Sequence, residues 1–288
     1  MMWAGAVNVA APALFLNRSI RAEANTMEII DIHTHIYPDE VALKATNSVR
    51  EFYQIGMDGK MDGTAGLLLQ QGKAAGISRY VILPVAIRPD RVQGINDYIL
   101  QMTRQEQAFI GFGTVHAAMD GITDEVQRIM DMGLKGIKMH PDSQRFAIDD
   151  LRLFPVYEQI QGKLPVMLHM GDHRYDYSHP VKLRRILDLF PKLQVIAAHF
   201  GGYSMYETAC ELLKDTTCVF DVSSSLMFLP KGEAERYIRI YGPERMAYGS
   251  DYPLWDPVTE VQRFLQLDLT MEEKEQIAAK TAKRILNI

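Results

Sequence analysis

The stretch Ile29-Ile30-Asp31-Ile32-His33-Thr34-His35 decides how this chain is read. It opens as an apolar, β-branched run, which predicts a buried strand. It ends in two histidines spaced i, i+2; side chains alternate faces along a strand, so His33 and His35 point the same way. With a rise of ~3.3 Å per residue their Cα atoms lie about 7 Å apart, a separation at which two imidazoles can converge on one metal ion. Pro38 then ends the ladder and turns the chain away. Two histidines exposed at a strand end would look the same locally, so the rest of the chain must decide.

Outward from that stretch the same unit recurs. Buried strands are predicted at 80–86, 109–116, 134–140, 165–169, 195–199, 218–222 and 246–251. Between them fall helical patterns at 39–53, 64–75 (capped by Thr64), 89–107, 122–132, 151–161, 180–190, 205–214 and 233–241. Two more close the chain, at 258–266 and 271–286, the last introduced by Thr270 and Glu273 as a capping box. Eight strands alternating with helices predict a single α/β domain, a (β/α)8 TIM barrel. A doubly wound open sheet is the alternative, but no glycine-rich nucleotide fingerprint follows the first strand.

Composition narrows the function. Of 288 residues 47% are hydrophobic and 23% charged, ordinary for a protein with a large core. The net charge is −5 and no basic cluster stands out, which argues against nucleic acid as a partner. Cys210 and Cys218 are expected to be reduced thiols of a cytoplasmic protein, and no apolar run is long enough to span a membrane. Residues 1–26 are expected to be a leader outside the folded domain, which then runs from 27 to 288. The apolar stretch from Met1 to Leu16 precedes Arg18 and Arg21, the reverse of a secretion signal. A homodimer, with the loop 53–63 against a neighbour, is expected only as the commonest assembly.

In a barrel of this kind the site lies at the C-terminal ends of the strands. Those ends carry His33 and His35, then Lys138 and His140, His169, His199 and Asp251, with His116 closing the third strand. A single histidine after an apolar strand is more often a satisfied core or loop residue; this set at one rim is not. Imidazoles and one carboxylate suit a divalent metal, Zn2+ foremost and Mn2+ or Fe2+ as alternatives. Such an ion lowers the pKa of bound water to near ~7, and Asp251 is placed to bind metal and accept a proton.

Five ordered motifs carry a family resemblance: Asp31-Ile32-His33-Thr34-His35, Gly136-Ile137-Lys138-Met139-His140-Pro141-Asp142, Leu168-His169-Met170-Gly171, Ala198-His199-Phe200-Gly201-Gly202 and Tyr248-Gly249-Ser250-Asp251-Tyr252-Pro253. They resemble the amidohydrolase superfamily, and more closely its branch similar to aminocarboxymuconate-semialdehyde decarboxylase. The resemblance implies that His33, His35, His169 and Asp251 bind one metal, with Asp251 and His199 catalytic. It also leaves a second metal open, held by His199 and a carboxylated Lys138; otherwise Lys138 is an ammonium that binds a substrate carboxylate. His140, Arg145, Arg174 and Tyr175 are substrate candidates, the arginines suited to a carboxylate. For Arg174 a loop ion pair with Asp172 or Asp176 is the rival. Ser223, Ser224 and Ser225 either donate to substrate or cap a turn, and Trp255 either walls the pocket or packs.

The leading expectation is a metal-dependent hydrolase of a small amide, ester or lactone. The alternatives are a non-oxidative decarboxylase of a small aromatic or unsaturated acid, a hydratase on the same site, and a non-catalytic metal-binding barrel.

Overall fold

In the computed structural model, which describes residue 24, residues 26–56 and residues 61–288, the first strand β1 (Ile29–Thr34) pairs in parallel with β2 (Ile77–Ile82), and β2 with β3 (Phe109–Gly111). A second parallel ladder runs through β4 (Gly113–Thr114), β5 (Ile137–Met139), β6 (Val166–Leu168), β7 (Val195–Ala197), β8 (Val219–Asp221) and β9 (Met246–Ala247). β3 and β4 are halves of one strand, split at Phe112, whose N–H turns back to Ile82 O at 3.2 Å. The ring is completed between β9 and β1 by Ile32 N to Tyr248 O (3.0 Å), Asp251 N to His33 O (2.8 Å) and His35 N to Tyr252 O (2.7 Å). The architecture is therefore the expected (β/α)8 barrel.

The helices follow the sequence pattern closely. α1 (Asp39–Tyr53) and α2 (Ala65–Ala75) come first, and the Thr64 side chain accepts from Leu67 N as expected. α3 (Val92–Gln105) and α4 (Ile122–Asp131) flank β3 and β4. A short turn, α5 (Pro141–Gln144), escaped the sequence pattern; His140 caps it and Pro141 opens it. Then come α6 (Phe154–Ile160), α7 (Pro180–Leu189), α8 (Tyr206–Leu213), α9 (Glu233–Tyr241) and α10 (Pro257–Leu265). The predicted last helix is two, α11 (Met271–Glu275) and α12 (Thr281–Leu286), joined by a π-type segment at Gln276–Lys280. The widening has a visible cause: Ile277 O accepts Tyr248 N at 2.9 Å, so the helix yields a carbonyl to the end of β9.

The core follows the period of two. Ile137 and Met139 are buried among the surrounding helices, while Lys138 between them faces the site. A smaller apolar cluster joins Ile30, Ile32, Val81, Phe112, Met167, Ile196 and Val219 to Ala282, Ile285 and Leu286 of α12. Each fully buried Val, Ile, Met or Phe among them contributes about 1.5–3 kcal/mol.

Most of the expected leader lies outside the described residues; Ala24, within it, is buried in the core. In the loop expected to meet a neighbour, residues 57–60 lie outside the described residues and Met61 is buried within the chain itself. Cys210 and Cys218 are both buried and unbridged. Among the described residues no helix is long and apolar enough to cross a membrane.

Candidate metal centre and active site

β1 delivers His33 and His35 to the barrel rim, where His33 Nε2 and His35 Nε2 each stand 3.4 Å from Asp251 Oδ1. The second nitrogen of each ring is already engaged. His33 Nδ1 lies 2.8 Å from Asp221 Oδ2 and His35 Nδ1 lies 2.6 Å from Leu83 O. A carboxylate and a carbonyl only accept, so both Nδ1 atoms carry the hydrogen and both Nε2 atoms present lone pairs. Burial, helped by Lys138, drives the His33 pKa well below the ordinary histidine range, so this ring is neutral at pH ~7.

Asp251 is held from both sides. Its backbone N–H donates to His33 O at 2.8 Å, and its Oδ2 accepts from Ser224 Oγ, which in turn accepts from Trp255 Nε1 at 2.7 Å. Asp251 (φ 61°), His199 (φ 59°), Phe200 (φ 54°) and Ser224 (φ 48°) all sit in the left-handed region. That conformation costs about 1–3 kcal/mol per residue and here gathers at one site.

His199 stacks on His33, with centroids 5.0 Å apart. Its Nδ1 donates to Ser223 O at 3.0 Å, which leaves the Nε2 lone pair 3.0 Å from His169 Nδ1. His169 thus reaches the centre beside His199. Burial lowers the pKa of both rings. Two sets of three residues bring ligand atoms within 4.8 Å of one another: His33, His199 and Asp251, and His140, Asp142 and His169. In the second set the His140 and His169 rings lie face to face, 4.0 Å apart at 8°. Their in-plane lone pairs therefore run parallel instead of converging, which makes that set a poor chelate. The first set, with His35, has the donor chemistry and the held tautomers of a divalent metal site.

The remaining candidates separate. Lys138 is buried with Nζ 3.2 Å from His33 Nε2, and burial brings its pKa down to about 8 against the pull of Asp251 and Asp221. His140 Nε2 lies 2.5 Å from Tyr53 Oη. Arg174 is committed elsewhere: Nε to Asp172 Oδ1 (2.9 Å), Nη2 to Asp172 Oδ2 (2.6 Å) and Nη1 to Phe52 O (2.6 Å). That is the loop ion pair named as the rival for this arginine. Tyr175 stacks on Phe52 at 5.7 Å. Arg145 is exposed and closes α5 in the left-handed region. His116 accepts from Ala118 N at 3.1 Å and caps a turn. Ser225 donates to Ser223 O at 2.9 Å.

Sequence reasoning missed three residues, Asp221, Asp31 and Tyr53, and read Ser224 only as a substrate donor or a turn cap. Asp221 accepts from the His33 ring, from the His199 backbone N–H (2.9 Å) and from Ser223 Oγ (2.6 Å), and so orients the His33 imidazole while holding the backbone at His199. Its signal was a lone carboxylate at the end of an apolar strand. Asp31 Oδ1 accepts from His33 N (3.1 Å) and Ser250 N (3.0 Å), tying the first strand to the last, and burial pushes its pKa up to about 7. Ser224 positions Asp251. Tyr53, at the end of α1, belongs to no motif and reaches the site across the barrel mouth.

Comparison with known proteins agrees with this geometry. The family described as Amidohydrolase matches residues 30–288. No curated protein sequence matches. Among solved structures, an uncharacterised TIM-barrel protein from Bordetella bronchiseptica superposes with TM-score 0.75 at 20% identity, over 91% of this chain and 99% of that one. A 5-carboxyvanillate decarboxylase from Novosphingobium aromaticivorans, complexed with manganese and a nitrobenzoic acid, gives 0.72 at 15% identity over 97% and 100%. A dihydroxybenzoic acid decarboxylase from Polaromonas with bound manganese gives 0.68 at 13% over 91% and 97%. At these identities the superpositions speak for the fold, whereas the family match spans nearly all of the described chain. The chain belongs to the amidohydrolase family.

Proposed function

We propose that this protein is a metal-dependent, non-oxidative decarboxylase of a small aromatic or unsaturated acid. The observation that carries the reading is the arrangement above the metal centre. Phe52, Tyr53, Tyr203, Phe228 and Trp255 form a continuous arc of rings with successive centroids 4.9, 5.4, 6.2 and 5.8 Å apart. Tyr203 meets both His169 (6.0 Å) and His199 (5.8 Å). Such an arc offers ring faces and edges against which a flat acid would stack, with its carboxylate toward the histidines. The manganese-bound decarboxylases among the structural neighbours support this alternative over the hydrolase expected first, and they favour manganese over zinc.

His33, His35 and Asp251 would hold the ion, with His169 and His199 beside them. A divalent ion there supplies positive charge that binds and offsets the acid's carboxylate or a neighbouring hydroxyl. The chain does the rest. Breaking the bond to the carboxylate leaves an electron pair on carbon, which must take up a proton. His199, once its Nε2 lone pair has taken a proton from solvent, and Asp251, with one oxygen held by Ser224, are the groups placed to pass that proton to the carbon. Asp221 fixes the orientation of the His33 ring and the backbone at His199 throughout. The aromatic arc keeps water from the reacting carbon.

The test sets metal-loaded protein against hydroxylated benzoates and against aryl lactones. Carbon dioxide from the benzoates is expected. Acid release from the lactones, with no carbon dioxide from any acid, would replace this reading with the hydrolytic one.

A further inference from the structure

The hydroxyl of Tyr53 has a direction that its neighbours impose. Ser143 N–H points at His140 Nδ1 at 3.3 Å, and a backbone amide only donates. Nδ1 is therefore the accepting nitrogen of the ring, and the ring hydrogen sits on Nε2. That hydrogen is donated to Tyr53 Oη, 2.5 Å away. Tyr53 therefore accepts from His140 and its own proton must be donated elsewhere. The acceptor in reach is His169 Nε2, at 3.4 Å beyond a good hydrogen bond, because His169 Nδ1 directs its own hydrogen to the His199 lone pair.

The phenol is also held in place. Arg174 lies over the Tyr53 ring (5.5 Å) and donates to Phe52 O, while Tyr203 meets the ring edge-on at 5.4 Å. Arg174 and Asp172 satisfy each other, so Arg174 is spent on this support and is not available to a substrate. What remains beside the metal centre is one aimed, poorly satisfied O–H.

We propose that Tyr53 is the substrate-binding hydrogen-bond donor of the site, aimed by His140, and that it recognises an anionic oxygen of the aromatic acid, a carboxylate or phenolate. The proposal rests on the decarboxylase reading and deepens it. Tyr53 touches the substrate; His140 acts through Tyr53 and is a positioning residue.

Calorimetry of salicylate (2-hydroxybenzoate) binding to manganese-loaded protein tests it, with metal content measured in each variant. Loss of a hydrogen bond to a charged oxygen weakens binding by roughly tenfold to a hundredfold. Tyr53→Phe is expected to show that loss with metal content unchanged. His140→Ala is expected to weaken binding too, and the double variant, with metal content unchanged, to be no worse than Tyr53→Phe, because His140 acts through Tyr53. Equal affinity in Tyr53→Phe, additive losses in the double variant, or loss of metal in Tyr53→Phe would each overturn the proposal. Wild-type protein that binds no aromatic acid would remove the decarboxylase reading and this inference with it, an outcome distinct from the other three.

Discussion

His33 Nδ1 lies 2.8 Å from Asp221 Oδ2, and that contact decides which nitrogen of His33 can face a metal. The two residues are 188 positions apart, on the first and seventh strands of the barrel. Asp221 also accepts from His199 N and from Ser223, so a single buried carboxylate sets the orientation of the centre.

Asp221→Ala should therefore weaken metal binding without touching a ligand. Removal of such an orienting partner lowers affinity by about 10–100-fold. Asp221→Asn, which keeps an acceptor for the His33 N–H, should lose less. Competition with a chelator of known affinity measures both; equal loss in the two would show that the carboxylate acts only by its charge.

Gly249 offers a second way to displace His33. A Cβ at this position would stand 2.8 Å from His33 Cβ and 3.2 Å from Ser223 Cβ, and neither is the tip of a flexible chain. Gly249→Ala should overpack the site at about 1–3 kcal/mol and lower metal affinity as well. A melting curve and a metal titration check the two effects separately.

The fold was legible because its signals are local. Thr64 and Thr270 cap the helices expected of them, and α1 and α9 begin and end where their patterns do. Where local pattern failed, a distant group had intervened. The break in the last helix exists because Tyr248 takes the Ile277 carbonyl. At the site, the HxH spacing and the strand-end histidines could be read as metal-ligand candidates. The partners of those rings could not, because Asp221 and Tyr53 come from other parts of the chain and match no spacing rule. Arg174 looked like a carboxylate binder from sequence; only the fold shows Asp172 and Phe52 O already occupying it.

Metal removal should lower thermal stability. An ion that binds the folded chain but not the unfolded one stabilises it by mass action, about 2.7 kcal/mol at a hundred times Kd. Chelation is expected to reduce Tm, and His35→Ala should abolish the difference between chelated and manganese-loaded samples in a differential scanning experiment.

Away from the metal centre, Glu260 gives stability a pH dependence. Burial raises its pKa from 4.5 to about 7, against the opposing pull of Arg263. Between those values the unfolded chain has lost the proton that the folded chain keeps, so unfolding releases a proton and stability falls as pH rises through that window. Glu260→Gln should flatten the fall. Urea denaturation across the window measures it, and an unchanged slope in the variant would assign the effect to another buried carboxyl.

The claim on which the account turns is that an ion held by His33, His35 and Asp251 is required for an aromatic acid to lose its carboxylate. Carbon dioxide release from carboxyl-labelled hydroxybenzoates tests it directly, in manganese-loaded, chelator-stripped and reloaded protein and in His33→Ala. Labelled carbon dioxide should appear with the loaded protein, vanish on stripping, return on reloading and be absent in His33→Ala. Release that survives stripping, or that persists in His33→Ala, would contradict it.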